Sequence, residues 1–356
     1  MLSLSDLFNK LNSKQGKEEI LEEFNAIDLS NSKNSDDFFE KYGGGNYILN
    51  RENLPYCQRD YVGRIDVYLD LFDLLKNKSS KKFYQIHKGT PYCLLGWLFL
   101  DIGDFEQGLF YIDAAMSEDV RIDPINWQNR PATQFLFLEQ PQKSSPIGTR
   151  IVDSVDRYIE QEIVEYQKES NKKTDAKEFM KKFKDKFVRY NFESFTHRTL
   201  ISALYVFLLE AQYCKLLLKR RSLTGGSIEP FLSSLHKGSL LFESLLKDVY
   251  TSHSNSTLGK IFHDPFVLRD LNFKQPNLGN VGQTLDDMVR HILPYLEKTY
   301  KTEKHVQYFA VSIRLRNITS HSLLLPDIFD ESIYQKLYRQ ILFSSLYLIE
   351  NKYFSR

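Results

Sequence analysis

The chain has 356 residues, 42% of them apolar and 26% charged, with a formal net charge of +1. That length exceeds what one core usually fills, so two domains are expected, and the balance of residue types excludes a wholly disordered chain. A near-neutral total excludes a molecule that coats nucleic acid through its whole field; any such contact must come from a local patch.

Three cysteines, Cys57, Cys93 and Cys214, stand far apart with no CxxC spacing. This argues against a disulfide framework and against a structural zinc site, and it fits a reducing compartment. The first twenty residues become charged too early for a secretory signal. The longest apolar run, Leu200 to Leu218, is interrupted by Glu210, Gln212 and Lys215. It therefore suits a buried amphipathic helix better than a bilayer span, which needs roughly 18 apolar residues. A cytoplasmic protein without a membrane segment is expected.

In chain order, residues 1–57 form a mixed helical and loop segment. Leu4, Leu7, Phe8 and Leu11 stand at helical spacing, which predicts one or two short helices over 4–24. The polar run 30–37 reads as a solvated loop, and Gly43, Gly44 and Gly45 as a turn, since no phosphate-loop pattern follows. Over 58–77, Val62, Ile65, Leu69, Phe72 and Leu75 make one helical face.

Residues 94–119 carry a more specific pattern. Leu95-Gly96 and Phe99 fall on a first helix, Gly103-Asp104 makes a tight turn, and Gly108, Ile112 and Ala115 alternate small and large on a second helix. Glycines at 96 and 108 would let two helices approach closely, with Phe99 and Ile112 filling the groove. The pattern resembles a tetratricopeptide (TPR) repeat; Gly108 replaces the commoner alanine, and Pro124 stands late for the usual proline. Helical hairpins of this type are expected over 58–121. Pro124, Pro131, Pro141 and Pro146 deny a long helix to 122–150, which reads as a connector.

The remainder, 151–356, is expected to be a helical bundle. Helices are predicted over 151–169 and 174–190, the second with Thr174 as N-cap and Phe179, Met180, Phe183 and Phe187 as its apolar stripe. Lys181, Lys182 and Lys184 crowd its other faces. They make either a solvated face or a patch that holds RNA phosphates beside stacked bases. A helix over 199–221 ends on Lys219, Arg220 and Arg221, where positive charge meets the helix dipole or, alternatively, a phosphate; Gly225-Gly226 terminates it. Further helices are predicted over 228–250, 284–300 (kinked at Pro294), 303–322 and 331–352, with a loop-rich insert at 251–282. Asp286-Asp287 reads as a helix start and Glu160, Glu162 and Glu165 as a solvated face; no histidine stands near in metal-ligand spacing, so neither metal nor cofactor is expected.

The helix over 303–322 contains Arg316, Asn317, Ile318, Thr319, Ser320 and His321, an RxxxxH pattern with a polar residue after the arginine. Of the eight histidines, only His321 has an arginine five positions upstream. Histidine titrates near neutrality and can move a proton in either direction, while arginine offers a permanent planar charge to phosphate oxygens. The two are about 140° apart around an ideal helix, so one helix does not easily aim both at one phosphate. Asn317 and His321 share a face.

The pattern resembles the signature of HEPN domains, and the resemblance covers about 195–352. It implies an all-α protein, with N-terminal TPR-like hairpins followed by a HEPN-like bundle of four or five helices. It also implies a metal-independent endoribonuclease acting on single-stranded RNA. A homodimer would present Arg316 and His321 from each subunit to one cleft, with Asn317 and Ser320 orienting the histidine or the phosphate. The TPR-like half would answer a protein or small-molecule trigger, and prokaryotic defence or stress response is the setting the family suggests. Leu323 stands where HEPN toxins paired with a nucleotidyltransferase antitoxin carry tyrosine, so that scheme is in doubt. A HEPN fold without activity, or a TPR-like helical scaffold with a structural Arg316 and His321, remains the alternative.

Overall fold

The computed structural model describes residues 2–30, 32–43, 61–139, 146–170, 175–190, 192–224, 229–278, 284–321 and 329–355; side chains at 32, 43, 61, 62, 146–148, 150, 220–224 and 321 lie outside that description. Most of the described residues are helical and none lies in a strand, as an all-α chain should be. Contacts divide the chain into two compact units, Met1–Ser154 and Val155–Arg356.

In the first unit, α1 (Leu4–Asn12) and α2 (Lys14–Ala26) follow one another, Ser13 closing the first and capping the second through Gly16 N. Residues 32–43 correct an expectation. The run read as solvated loop enters α3 (Ser32–Gly43), because Phe38, Phe39 and Tyr42 recur at helical spacing and are buried. Those three side chains outweigh the poor propensity of the Ser/Asn/Asp run. The Gly43–Gly45 turn falls largely outside the described residues. Helix α4 (Tyr61–Lys78) buries Ile65, Phe72 and Leu75 as its periodicity predicts, while Leu69 is half-buried and the Val62 side chain lies outside the description. Helix α5 (Ser80–Gln85) follows.

Helices α6 (Gly89–Ile102) and α7 (Phe105–Ile122) form a hairpin, with Asp104 capping α7 through Gln107 N. A Cβ on Gly96 would lie 2.9 Å from both the Gly108 carbonyl and Ile112, and one on Gly108 would lie 2.5 Å from Leu100. The two helices are therefore closer than any other residue at 96 would permit. Ile112 is fully buried, and Phe99 lies parallel to Tyr111 with centroids 5.5 Å apart. Within 122–150, α8 (Pro131–Leu136) begins with proline at its first position, and Trp127, Phe135 and Leu136 are buried. This stretch packs back on the hairpin through Trp97 and Phe135, 5.8 Å apart.

Helix α9 (Pro146–Glu169) begins earlier than its predicted 151. Helix α10 (Ala176–Lys182) is capped by Asp175, which accepts from Lys177 N; Thr174, the expected cap, lies outside the described residues. The predicted stripe of Phe179, Met180, Phe183 and Phe187 runs from α10 into a wider π-turn over Phe183–Val188 and is buried.

Four long helices dominate the second unit: α11 (Phe195–Thr224), α12 (Glu229–Val249), α17 (Lys304–His321) and α18 (Glu331–Leu348). Between them lie α13 (Leu258–Ile261), α14 (Pro265–Asp270), α15 (Leu285–Asp287) and α16 (Leu293–Thr299). The first two break up the insert expected to be mostly loop. A wide π-turn over Met288–Ile292 precedes Pro294. Proline has no N–H to close the ladder, and a widened turn relieves its clash with the preceding turn.

Helix α12 packs against α11, α17 and α18. A Cβ on Gly238 would lie 2.3 Å from the Phe207 ring, so glycine sets the α11–α12 approach. Phe242 stacks on Phe309 with centroids 5.6 Å apart, and Ser312 and Ser344, both fully buried, satisfy one another at 2.7 Å between α17 and α18. Residues 195–219 are long and apolar enough to cross a membrane by composition, and 56% of that window is buried inside the bundle.

Glu162 corrects another expectation. It is not on a solvated face: its carboxylate, 6% exposed, lies 3.1 Å from Arg339 Nε and 3.4 Å from Lys215 Nζ. Glu165 takes the Arg339 NH1 at 3.1 Å. Burial lowers the Lys215 pKa, and Glu162 opposes that shift.

Two substitutions test this packing by urea unfolding. Gly96→Ala should cost about 1–3 kcal/mol by forcing the α6–α7 hairpin apart; an unchanged midpoint would show that the glycine contact is slack. Glu162→Ala should cost on the order of 3 kcal/mol, because it leaves Lys215 and Arg339 without their shared anion.

Candidate functional site

Arg316 projects from α17 towards α12. Its Nε donates to Glu243 Oε2 at 2.9 Å, and its NH1 donates to the Ser320 hydroxyl, one turn on. Ser320 in turn donates to the Arg316 carbonyl at 2.6 Å. Glu243, with a side chain 11% exposed, also accepts from Lys247 Nζ at 2.7 Å through its other oxygen. One carboxylate thus holds two cations from two helices. A guanidinium has five N–H donors. Glu243 and Ser320 engage Nε and NH1 and leave the NH2 end without a partner among the described residues. That end can form the planar fork that phosphate oxygens accept.

Asn317 and Ser320 are exposed on the same helix. Thr319, between them, donates to the Leu315 carbonyl at 2.8 Å and meets His236 Nδ1 at 3.0 Å. The helix holding the RxxxxH pattern ends at His321, whose side chain lies outside the described residues. The structure therefore brings together Arg316, Asn317 and Ser320, and adds His236 and Glu243 from α12.

The other candidates sit elsewhere. Lys181 is exposed. Lys182 pairs with Glu178 at 2.8 Å and Lys184 with Asp156 at 2.7 Å, so both already face carboxylates. Arg220 and Arg221 continue α11, and their side chains lie outside the described residues. Asp286 and Asp287 lie in the first turn of α15, where Thr284 caps Asp287 N at 3.1 Å and Asp286 pairs with Arg290 at 2.6 Å. Among the described residues no group of three or more His, Cys, Asp or Glu is arranged to hold a metal ion. Cys57 is outside the described residues; burial pushes the Cys93 thiol up to about 12 and the Cys214 thiol up to about 11.

His236 and Glu243 were invisible to motif reading. They are seven residues apart on α12, which puts them on one face two turns apart, but nothing in their own neighbourhood marks them. Several other serines, lysines and acidic residues share that helix, so its polarity does not single them out. No protein-family model, no curated protein and no solved structure matches the chain.

Burial holds the His236 pKa below its usual value, the Arg316 charge lowers it further, and Glu243 works in the opposite direction. A histidine whose folded pKa is depressed resists protonation only in the folded state. Its contribution to stability is complete above the unfolded value of about 6.5 and is lost as pH falls through the lower folded value. Wild type should therefore lose stability relative to His236→Asn between pH 7.5 and pH 5 in urea unfolding. A difference that stays constant across that range would show that the imidazole is equally easy to protonate in both states.

Proposed function

We propose that the second unit is a metal-independent endoribonuclease of HEPN type. It would act on single-stranded RNA as a homodimer, under the control of the first unit and its TPR-like hairpin. The observation that carries the reading is Arg316: it sits in an RxxxxH helix with Nε held by Glu243 and NH1 by Ser320, and with NH2 left for a ligand. Holding two of the three guanidinium nitrogens removes rotamer freedom in advance, so a phosphate is met by donors already in place. Asn317 and Ser320 line the same helix beside it.

Cleavage without metal needs a base for the ribose 2′-hydroxyl, an acid for the leaving 5′-oxygen and a cation for the pentacoordinate phosphate. Arg316 suits the last role and His321 a proton-transfer role. Because the pair does not share a helix face, two α17 helices across a two-fold axis would complete one cleft. A trigger, protein or small molecule, would act on the first unit. The cell interior and a role in defence or stress response fit this reading.

One observation favours a second reading. The Arg316–Glu243 ion pair also serves to join α12 to α17, as a helical scaffold with no chemistry would require. RNA cleavage separates the two. Labelled single-stranded RNA incubated with the full chain in EDTA should yield 2′,3′-cyclic phosphate ends, and Arg316→Ala and His321→Ala should each lower the rate about 100-fold or more. Cleavage that needs added metal, or that survives both substitutions, would defeat the nuclease reading. Absence of both RNA binding and cleavage, in a protein that Arg316→Ala merely destabilises, would favour the scaffold.

A further inference from the structure

His236 and Thr319 fix a proton. The Thr319 hydroxyl lies 2.8 Å from the Leu315 carbonyl and 3.0 Å from His236 Nδ1. A hydroxyl has one hydrogen to give, and a carbonyl can only accept. The bond to Leu315 is the back-bond that a helical threonine commonly makes to the preceding turn. The Thr319 hydrogen goes there, its oxygen accepts from His236, and Nδ1 carries the imidazole hydrogen. A neutral imidazole has only one N–H. Nε2 is then a bare lone pair, and among the described residues it has no hydrogen-bond partner.

The surroundings keep the ring in that state. Arg316 on α17 and Glu243 on α12 are the charges that act on it, the first lowering and the second raising its pKa. Lys237, next along α12, is engaged by Glu210 of α11 at 2.6 Å, and from α18 Tyr334 is engaged by Ser234 at 2.8 Å. Thr319 follows Arg316 by three residues, so the histidine and the guanidinium meet the same stretch of α17.

We propose that His236 is the general base of the site: its Nε2 takes the 2′-hydroxyl proton of a ribose whose 3′-phosphate is held by the NH2 end of Arg316. This rests on the ribonuclease reading. As the proton passes to Nε2, the 2′-oxygen bonds to phosphorus, the P–O5′ bond breaks, and the 5′-oxygen takes a proton from the imidazolium of His321. The products are a 2′,3′-cyclic phosphate and a 5′-hydroxyl. Two histidines thus divide the two proton transfers, and Thr319 holds the base in the tautomer that accepts. The bound phosphate also offsets the Arg316 charge, which raises the basicity of His236 only once substrate is present.

His236→Asn is the informative variant, because its amide nitrogen can still donate to Thr319 while no base remains. With the full chain and labelled single-stranded RNA, kcat/KM should fall about 100-fold. The acidic limb of the wild-type pH profile should vanish. In parallel, nitrogen NMR of histidine-labelled wild type should show Nδ1 protonated and Nε2 bare. The Nε2 resonance should move on addition of a 2′-deoxy-substituted, uncleavable RNA oligonucleotide.

Wild-type cleavage with an unaltered rate and pH limb in His236→Asn overturns this inference and leaves the ribonuclease reading intact. A protonated Nε2, or binding of the oligonucleotide with no movement of Nε2, overturns it as well. A wild type that neither cuts RNA nor binds the oligonucleotide overturns both readings together.

Discussion

The carboxylate of Glu243 is the point on which the α12–α17 face depends. It is almost fully withdrawn from water, and an anion in that position is tolerable only when paired and hydrogen-bonded. Its two oxygens are each taken by a cation: Lys247 from one turn on in its own helix, Arg316 from across the crossing. The first bond is local and would form in an isolated helix. The second is not, and it sets how α17 lies along α12. With Arg316 placed there, Thr319 falls opposite His236 and the last turn of α17 is left with Asn317 and Ser320 outward.

The same pairing accounts for the charge state of the face. Arg316 and Lys247 against Glu243 leave one net positive charge, beside an imidazole that burial and Arg316 keep neutral. Had Glu243 been absent, Arg316 would be mobile and its field on His236 unopposed. Had Arg316 been absent, Glu243 would favour a protonated His236. Each of the three groups therefore decides what the other two can do, and none can be assigned a role from its residue type alone.

Local periodicity made much of the fold legible. The stripe of Phe179, Met180, Phe183 and Phe187 repeats every three or four residues and is buried, and Gly96 and Gly108 mark a close helix pair. Residues 32–43 escaped because Ser, Asn and Asp signal a loop locally, whereas burial of Phe38, Phe39 and Tyr42 is a tertiary gain. Glu162 escaped for a related reason: its partners, Lys215 and Arg339, are 53 and 177 residues away in sequence. The candidate site divides in the same way. Spacing within one helix singled out Arg316 and Asn317. His236 is 83 residues before Thr319 and Glu243 is 73 before Arg316, so only the fold joins them.

A whole-chain charge of +1 gives no long-range field to gather RNA. The lysines that looked suited to a phosphate track reinforce the point, since Lys182 and Lys184 are already neutralised by Glu178 and Asp156. The Arg316 face works on a different scale. One uncompensated positive charge matches one phosphodiester, and a single phosphate contact releases little counterion, so affinity would depend weakly on salt. On the proposed reading, such a site would favour recognition of one scissile phosphate over retention of a long strand. Under the ribonuclease proposal, the attraction would act where negative charge grows during the reaction, and a substrate held by so little outside the reacting centre would be readily released as product.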